Sequence, residues 1–361
     1  MKRLSILTRH IGREILVASA SVMVAFLGLF AFFDFVNELD GIGRGGYGVW
    51  EAFVFVVLIL PGRIYELLPV VVLITTLYVL TTFARHSEIT VMRASGLSIA
   101  GILRILAAVG MLFVVATFLI GEYVAPPAER AAQQWKLEAT GSSVSNRLRS
   151  GLWVKDGANF VNIATVFPDG TMLGVSIYEF DERRALDKVS VARSGRYDAD
   201  ESLWQLEEVV ETRFLGDSVE VVELPGFEWR SQLTPEVLSV LMVAPERMSV
   251  TALFTYIRHL AENSQETQRF EIALWKKLTY PLAVLVMMLL ALPFALGHDR
   301  MGGVSVKVFL GVMLGVGFHL LNGLFGNLGV INAWPPALAA ITPSMLFLLA
   351  ATYMLIRVER R

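Results

Sequence analysis

The feature that most constrains this chain is the concentration of its apolar residues into uncharged runs of membrane-spanning length. A bilayer core about 30 Å thick is crossed by about 20 apolar residues in an α-helix. The last run has room for two spans, so the sequence predicts an α-helical polytopic membrane protein with six spans. The uncharged runs are 15–33, 67–84, 105–121, 278–297 and 308–356.

The overall composition agrees with this interpretation and argues against a soluble or a disulfide-bonded protein. Charged residues make up 18% of the chain, against about 25% in soluble domains. The chain has no cysteine, which excludes disulfides and cysteine catalysis. The basic N-terminus precedes an apolar run too long for a signal peptide, so we expect no cleavage there.

Prolines and glycines mark the expected interruptions of the spans. Pro61 and Pro69 predict kinks in the second span, whose first part should protrude from the bilayer. The Gly-Asn-Leu-Gly segment 326–329 and the pair Pro335-Pro336 should divide the last run into the fifth and sixth spans.

A region of different chemistry separates the third span from the fourth. Glu122 and the pair Pro126-Pro127 should end the third span, and frequent charges then continue to Glu271. The sequence thus predicts two transmembrane halves around one inserted domain. The predicted domains are 1–124 (spans 1–3), 125–271 (inserted domain) and 272–361 (spans 4–6).

The inserted domain alternates polar and apolar residues as half-buried β-strands do. Asp156-Gly157 indicates a β-hairpin turn. Seven or eight short strands predict an all-β sandwich or jelly roll, and Ser249 is expected to cap a helix near the end of the domain. Separate short strands are expected at 188–192, 195–198, 204–210, 219–224 and 227–229.

Basic residues in short loops predict the orientation, because they accumulate on the cytoplasmic side. Only Arg44 and Arg63 fall on the opposite side, so both termini should be cytoplasmic and the inserted domain should lie outside the cytoplasm. The residues on the cytoplasmic side are Lys2, Arg3, Arg9, Arg13, Arg85, Arg93, Arg104, Arg300, Lys307, Arg357, Arg360 and Arg361.

A short segment between the second and third spans has the pattern of an isolated helix. Ser87 is a candidate N-cap and Gly96 a candidate C′ residue, with Glu88 in the first turn. Such a helix either inserts into a groove of a partner protein or rests on lipid headgroups. Its apolar residues are Ile89, Val91 and Met92.

A second group of charges lies near the opposite membrane surface. Arg63 and Glu66 are three residues apart, a spacing typical of an interfacial ion pair. Alternatively, Arg63 lines a cavity and, with Arg44, binds an anionic ligand such as a lipid phosphate. Asp34, at the end of the first span, is expected to be solvated.

Sequence motifs give little support for catalysis. The chain contains no P-loop, no His-Glu-x-x-His and no Gly-x-Ser-x-Gly. His319 and Asn322 lie three residues apart within the fifth span, where hydrogen bonds between helices explain them better than a proton relay.

Three segments resemble the LptF/LptG permeases of lipopolysaccharide export. Residues 85–96 (RHSEITVMRASG) are similar to the coupling-helix segment of that family, and 121–126 (GEYVAP) to the end of its third span. Residues 151–161 (GLWVKDGANFV) resemble the first hairpin of its periplasmic domain and favour the LptG branch. The order of three spans, β domain and three spans extends the resemblance over essentially the whole chain.

The resemblance implies a bacterial inner-membrane permease subunit whose β domain is a periplasmic jelly roll. It implies an LptF-type permease as cavity partner, a dimer of an LptB-type ATPase that uses ATP and Mg²⁺, and a bitopic LptC-type protein beside the first span. Lipopolysaccharide would be the substrate. Membrane lipid would surround the chain, which would bind no cofactor, metal or nucleic acid itself.

The resemblance also assigns roles to residues. It implies that the ATPase is contacted through Glu88 and its neighbours, and that Arg63 faces the phosphates of lipid A, with Arg44 and Glu66 beside it. The family often has further basic residues after the first span, where this chain has Asp34 and Asp40 instead. The implied coupling residues are Ser87, Glu88, Ile89, Val91, Met92, Arg93 and Gly96.

Two other functions share much of this pattern. A mechanotransmission or scaffold protein linked to an ABC ATPase would have the same topology and coupling helix without transporting a substrate. A membrane-embedded enzyme would need a titratable pair in a cavity, with His319 as the mid-span candidate.

Overall fold

The computed structural model consists of two compact units. The first is formed by Met1–Asp34, Ile59–Ala128 and Gln268–Arg361, and the second by Phe35–Leu58 and Glu129–Thr267. The structure describes residues 2–43, 45–140, 151–157, 159–166, 171–181, 185–198, 201, 203–215, 218–231, 233–235, 244–296 and 303–359.

Nine α-helices are described along the chain, and six helical segments are long and apolar enough to cross a membrane. This confirms the predicted number of spans. The helices are α1 (Lys2–Glu38), α2 (Val49–Arg85), α3 (Glu88–Ala94), α4 (Ile99–Leu119), α5 (Ala125–Thr140), α6 (Val250–Glu262), α7 (Gln268–Leu296), α8 (Val304–Ile331) and α9 (Pro336–Glu359).

Helix α4 does not stop where the sequence indicated. A π-helical turn at Ile120–Val124 joins it directly to α5, so Glu122 and the following prolines lie within one helical segment. The expected end at Glu122 was therefore wrong. The wider π turn shifts the hydrogen-bond ladder just before Pro126 and Pro127, which have no amide N–H to donate.

Glycines in α8 serve close packing and do not interrupt the helix. The prediction that 326–329 divides two spans was wrong, because α8 continues to Ile331 and the break falls before Pro336. A methyl group at Gly329 would lie 2.6 Å from Cβ of Ala339 on α9. The absent side chain therefore allows the two helices to approach closely.

The interior of the first unit consists of two apolar clusters. One includes Ile15, Leu106 and Met288, and the other includes Leu77 and Phe318, all with 2% or less of their surface exposed. Because α2 contributes to both clusters, its side chains are mostly buried, whereas α1 lies at the margin of the unit with most of its apolar side chains accessible.

The second unit contains one antiparallel sheet whose six strands follow each other in chain order. The inserted β domain is therefore confirmed, but six strands are described where seven or eight were expected, because 188–192 and 195–198 both lie in β4, and 219–224 and 227–229 both lie in β6. The strands are β1 (Leu152–Asp156), β2 (Asn159–Val166), β3 (Met172–Phe180), β4 (Leu186–Asp198), β5 (Leu203–Leu215) and β6 (Ser218–Trp229).

The predicted hairpin and capped helix are both present in this unit. Asp156 pairs with Asn159 across the β1–β2 turn, and the Ser249 hydroxyl accepts a hydrogen bond from the amide of Ala252 at the start of α6. The Asn263 side chain, just after α6, accepts a 2.6 Å hydrogen bond from the Gly157 amide. This contact ties the hairpin to the end of α6.

Candidate functional site

The short helix α3 forms where the sequence predicted it, although its N-terminus differs in detail. Ser87 has a φ of 58° and makes no side-chain capping hydrogen bond, so its expected role as N-cap was wrong. The C-terminus matches the prediction. Gly96 has a φ of +94°, and the amides of Gly96 and Leu97 donate to the carbonyls of Arg93 and Met92, which is the Schellman arrangement.

The two faces of α3 differ in exposure. Ile89 and Met92 are buried in the apolar cluster that also contains residues of α2 and α4. Val91 is 66% exposed, and Thr90 and Arg93 are also exposed. The buried pair fixes the helix to the bundle, and its other face remains available to a partner.

Glu88 stands at the start of α3 with 41% of its side chain exposed. Its carboxylate lies 3.9 Å from Nε2 of His10, and the His10 ring stacks on Phe83 with centroids 5.6 Å apart. The carboxylate thus lies beside His10 of α1 without a hydrogen bond to it, and one side stays open to a basic group of another protein.

The second group of predicted residues lies farther along α2. Arg63 is 22 positions from Arg85, which corresponds to about 33 Å of helix, roughly the thickness of a bilayer core. Arg63 and α3 are therefore separated along α2 by about one membrane thickness. Arg44, the other predicted phosphate ligand, lies outside the described residues.

Arg63 is held by two carboxylates. Its Nε and Nη2 donate to Asp34 at 2.9 Å and 2.7 Å, and its Nη1 donates to Glu66 at 3.0 Å. We name Asp34, Arg63 and Glu66 the Arg63 cluster. The side chain of Asp34 is only 13% exposed, so the expectation that it is solvated was wrong.

The sequence did not single out the residues of α7 that lie next to this cluster. The Tyr280 hydroxyl donates a 2.6 Å hydrogen bond to the Glu66 carbonyl, and the Lys277 ammonium lies 4.5 Å from the ring centroid of Tyr65. Lys277 is only 7% exposed. The sequence signal that could have identified them is the Lys276-Lys277 pair, which directly precedes the fourth apolar run.

A glycine makes room for Tyr65 in this layer. A methyl group at Gly121 would lie 2.5 Å from Cε2 of the Tyr65 ring. Gly121 belongs to the π-helical turn after α4, so the irregular turn and the aromatic ring fit together. The GEYVAP segment that supported the family resemblance therefore has a packing role.

His319 lies next to the backbone of Glu66 on α2. The main-chain carbonyl of Asn322 accepts a 2.8 Å hydrogen bond from Lys276 on α7, so the Asn322 side chain, which the sequence favoured for a bond between helices, is not the group used. Within the described part of the chain, no three acidic or imidazole side chains are grouped so as to hold a metal ion.

The sheet of the second unit has apolar side chains on both faces. One face is buried through Val161, Ile177 and Val209, each at most 1% exposed. The other face exposes a second set of apolar residues, an arrangement that marks an interaction or ligand surface. The exposed set is Trp153, Phe160, Leu173, Val191, Val210, Phe214, Val219 and Val221.

Burial perturbs the titration of one histidine in this unit. His259, on α6, is 5% exposed, and burial lowers its pKa, opposed by the charges of Asp156 and Glu262. Its Nε2 is buried and has no hydrogen-bond partner among the described residues. Protonation would therefore place a buried positive charge beside the hairpin contact of Asn263.

Comparison with known proteins gives a family that fits this architecture. The model of the family described as "Lipopolysaccharide export system permease LptF/LptG" matches residues 9–357. The chain is 31% identical to the protein named LptG of Haemophilus influenzae over 97% of this chain and 98% of the relative. It is also 31% identical to LptG of Escherichia coli K12 over 99% of both chains. The chain therefore belongs to the LptF/LptG family of lipopolysaccharide export permeases.

Proposed function

We propose that this chain is the permease subunit of an ATP-driven transporter that extracts lipopolysaccharide from the inner membrane and passes it to a periplasmic bridge. The observation that carries the proposal is the family match along the whole chain, over an architecture of three spans, a β domain and three spans. The chain is one half of the transmembrane part, and an LptF-type permease is the other half.

On the cytoplasmic side of the transporter, α3 is the proposed contact with the ATPase. Its exposed face, with Val91 and Arg93, and the half-exposed Glu88 at its N-terminus fit a groove on an LptB-type ATPase. Closure of the ATPase dimer on ATP and Mg²⁺ pushes α3, and the buried Ile89 and Met92 transmit the movement to α2 and α4. This chain binds no nucleotide itself.

The opposite end of the membrane carries the substrate contact. The Arg63 guanidinium is 23% exposed, and a guanidinium binds a phosphate through two parallel hydrogen bonds. We assign it to a lipid A phosphate, with Glu66 fixing its orientation and Arg44 nearby in sequence. The carboxylates of the Arg63 cluster must share or release the guanidinium for this contact to form.

The inserted domain receives the lipid on the periplasmic side. Its exposed apolar sheet face gives acyl chains a surface that replaces membrane contact during passage. An LptC-type protein continues the path, since a single sheet covers only one side of an acyl chain. The count of basic residues in short loops supports this orientation, with both termini cytoplasmic.

Affinity purification of the intact chain in mild detergent, with mass spectrometry of proteins and lipids, tests the proposal. We expect an ATPase, a second six-span permease and lipopolysaccharide to copurify. Glu88→Lys should remove the ATPase and keep the lipid, and Arg63→Gln should do the reverse. Glu220→Lys and Arg258→Glu, at exposed positions of the second unit, are the matched controls.

A scaffold that moves a periplasmic partner without carrying lipid is the second candidate, because all three nitrogens of the Arg63 guanidinium already donate to carboxylates. In that case the chain retains the ATPase but no lipopolysaccharide, and Arg63→Gln changes stability alone. Recovery of the chain without any ATPase would refute both candidates.

A further inference from the structure

The Arg63 cluster contains a carboxylate placed where a phosphate would bind. Asp34 accepts two hydrogen bonds from one edge of the guanidinium, from Nε and Nη2. Carboxylates and phosphates both bind arginine in this two-point manner. A phosphate that approaches Arg63 therefore meets a guanidinium whose Nε edge is already taken by an internal anion.

Charge makes simultaneous binding unfavourable. Asp34 and Glu66 together carry two negative charges against the single positive charge of Arg63. A phosphate added to this group is repelled by both carboxylates, and the partial burial of the cluster weakens screening by water. The guanidinium stays paired if the incoming phosphate replaces one of the two carboxylates.

Of the two carboxylates, Asp34 is the one whose release changes the structure. It belongs to α1, whereas Arg63 and Glu66 belong to the same turns of α2. The Asp34–Arg63 pair is therefore a link between two helices. Phe30 of α1 supports it, with its ring centroid 5.8 Å from Cζ of Arg63.

A second link between the same helices lies deeper in the membrane. The hydroxyls of Ser19 and Thr75 are 2.8 Å apart in a buried hydrogen bond. Beyond this point α1 has many accessible apolar side chains, among them Val24, Leu29 and Phe33 at 50% exposure or more. Between Ser19 and the last turn of α1, the ion pair is the polar link to α2, and the last turn itself is held by Glu38, which accepts hydrogen bonds from Lys136 and from the Tyr47 hydroxyl.

We propose that Asp34 competes with the phosphate of the lipid substrate for Arg63, and that their exchange frees the part of α1 around Asp34 from α2. The proposal rests on the assignment of Arg63 as the phosphate contact. Phosphate binding thereby changes the helix packing: the part of α1 between the Ser19–Thr75 contact and Glu38 separates from α2 only when a phosphorylated lipid replaces Asp34. Asp34 is a specificity-determining residue, because a lipid without phosphate cannot displace it.

The test is binding of bisphosphorylated lipid A and of its dephosphorylated form to the full chain, copurified with its partners in nanodiscs. Asp34→Asn keeps the shape of the side chain and removes the competing charge, so affinity for the phosphorylated lipid should rise roughly tenfold. Asp34→Glu should keep the lower affinity. Asp40→Asn is the matched control, since Asp40 is exposed near the same helix end.

A distance measurement reads the movement directly. The chain has no cysteine, so spin labels can be placed at Phe33→Cys and Gly62→Cys near the cluster, and at Val17→Cys and Tyr78→Cys near the Ser19–Thr75 contact. The first distance should lengthen with phosphorylated lipid alone, and without any lipid in Asp34→Asn. The second distance should stay constant.

The outcomes separate this proposal from the assignment on which it rests. If wild type binds both lipids equally and Arg63→Gln has no effect on binding, the phosphate site itself is wrong. If phosphate preference exists and depends on Arg63, but Asp34→Asn binds no more tightly than Asp40→Asn, then Asp34 is only a structural partner and the competition is refuted. An unchanged Phe33–Gly62 distance in every sample overturns the movement.

Discussion

Helix α3 and the Arg63 cluster differ in how they hold their charges. Glu88 is half-exposed with one imidazole nitrogen 3.9 Å from its carboxylate, and the α3 face beside it is open. Arg63 is mostly buried, and its three nitrogens all donate to carboxylates within the unit. In the proposed function, the first site is open to a protein partner as it stands, and the second would bind a phosphate only by exchanging internal contacts.

The difference fits what the proposed function requires of each site. A coupling helix transmits force in every cycle, so a preformed exposed face on a buried anchor suits it. A lipid site must also release its ligand, and an internal competitor lowers affinity without removing selectivity. Variants can test this contrast between an exposed helix face and a guanidinium that is already paired with internal carboxylates.

Reversal of the charge at Glu88 should have the largest effect on assembly. If Glu88 makes the proposed contact with a basic group of the ATPase, Glu88→Lys replaces attraction by repulsion, and we expect the ATPase to bind about 100-fold more weakly, a loss of about 3 kcal/mol. Thermal unfolding of the chain should stay unchanged because the side chain is half-exposed. A matching drop in melting temperature would mean that Glu88 supports the fold instead.

Changes in packing near Arg63 should lower the stability of the chain more than a change at the half-exposed Glu88. Gly121→Ala brings a methyl group against the Tyr65 ring and should lower the free energy of unfolding by about 1–3 kcal/mol. Gly62→Ala is the matched control, because a methyl group there meets nothing within 4 Å and alanine favours helix. Equal melting curves for the two variants would contradict the close fit of the π turn and Tyr65.

The end of α3 should respond to a backbone change more weakly. Gly96→Ala puts a side chain at a φ of +94°, which costs about 1–2 kcal/mol and should weaken ATPase association about fivefold. Gly43→Ala, at a φ of +90° in a loop of the second unit, carries similar backbone strain. Copurified ATPase, quantified by mass spectrometry, should decrease only for Gly96→Ala.

The smallest expected effect is a pH dependence of the second unit. The pKa of His259 is lowered by burial in the folded chain, so the unfolded chain takes up the proton first as pH falls. Stability should therefore decline once pH drops below about 6.5, the ordinary histidine value, and level off below the folded pKa. Hydrogen exchange of the β1–β2 hairpin, corrected for intrinsic rates, should show this loss of protection.

His259→Gln removes the titrating group and should make hairpin protection flat across the same pH range. Glu262, which is exposed and also influences His259, provides the control as Glu262→Gln. A pH dependence that persists in His259→Gln would show that His259 is not its source. Glu211 does not compete for this role, because Arg213 and Lys188 outweigh the effect of burial and lower its pKa.

The sequence predicted features that depend on local patterns. The uncharged runs predicted the spans, Gly96 predicted the end of α3, and Ser249 predicted the capped start of α6. Each depends on residues within one or two helical turns, where spacing and backbone preference decide the outcome.

Features that depend on distant partners were not predictable in this way. Asp34 looked like a solvated helix end because its partner Arg63 is 29 positions away. Lys277 looked like the edge of a span, and only the packing of Tyr65 against Gly121 places it inside the bundle. Glycines at 326 and 329 looked like breaks because the helices they contact were unknown.

Release of lipopolysaccharide from proteoliposomes that contain the whole complex tests the account most directly. Wild type should transfer the lipid to a soluble periplasmic acceptor only with ATP and Mg²⁺. Glu88→Lys should retain bound lipid but release none, and Arg63→Gln should retain the ATPase but load little lipid. A wild-type complex that hydrolyses ATP and moves its partner without transferring lipid would contradict the export function and leave the scaffold.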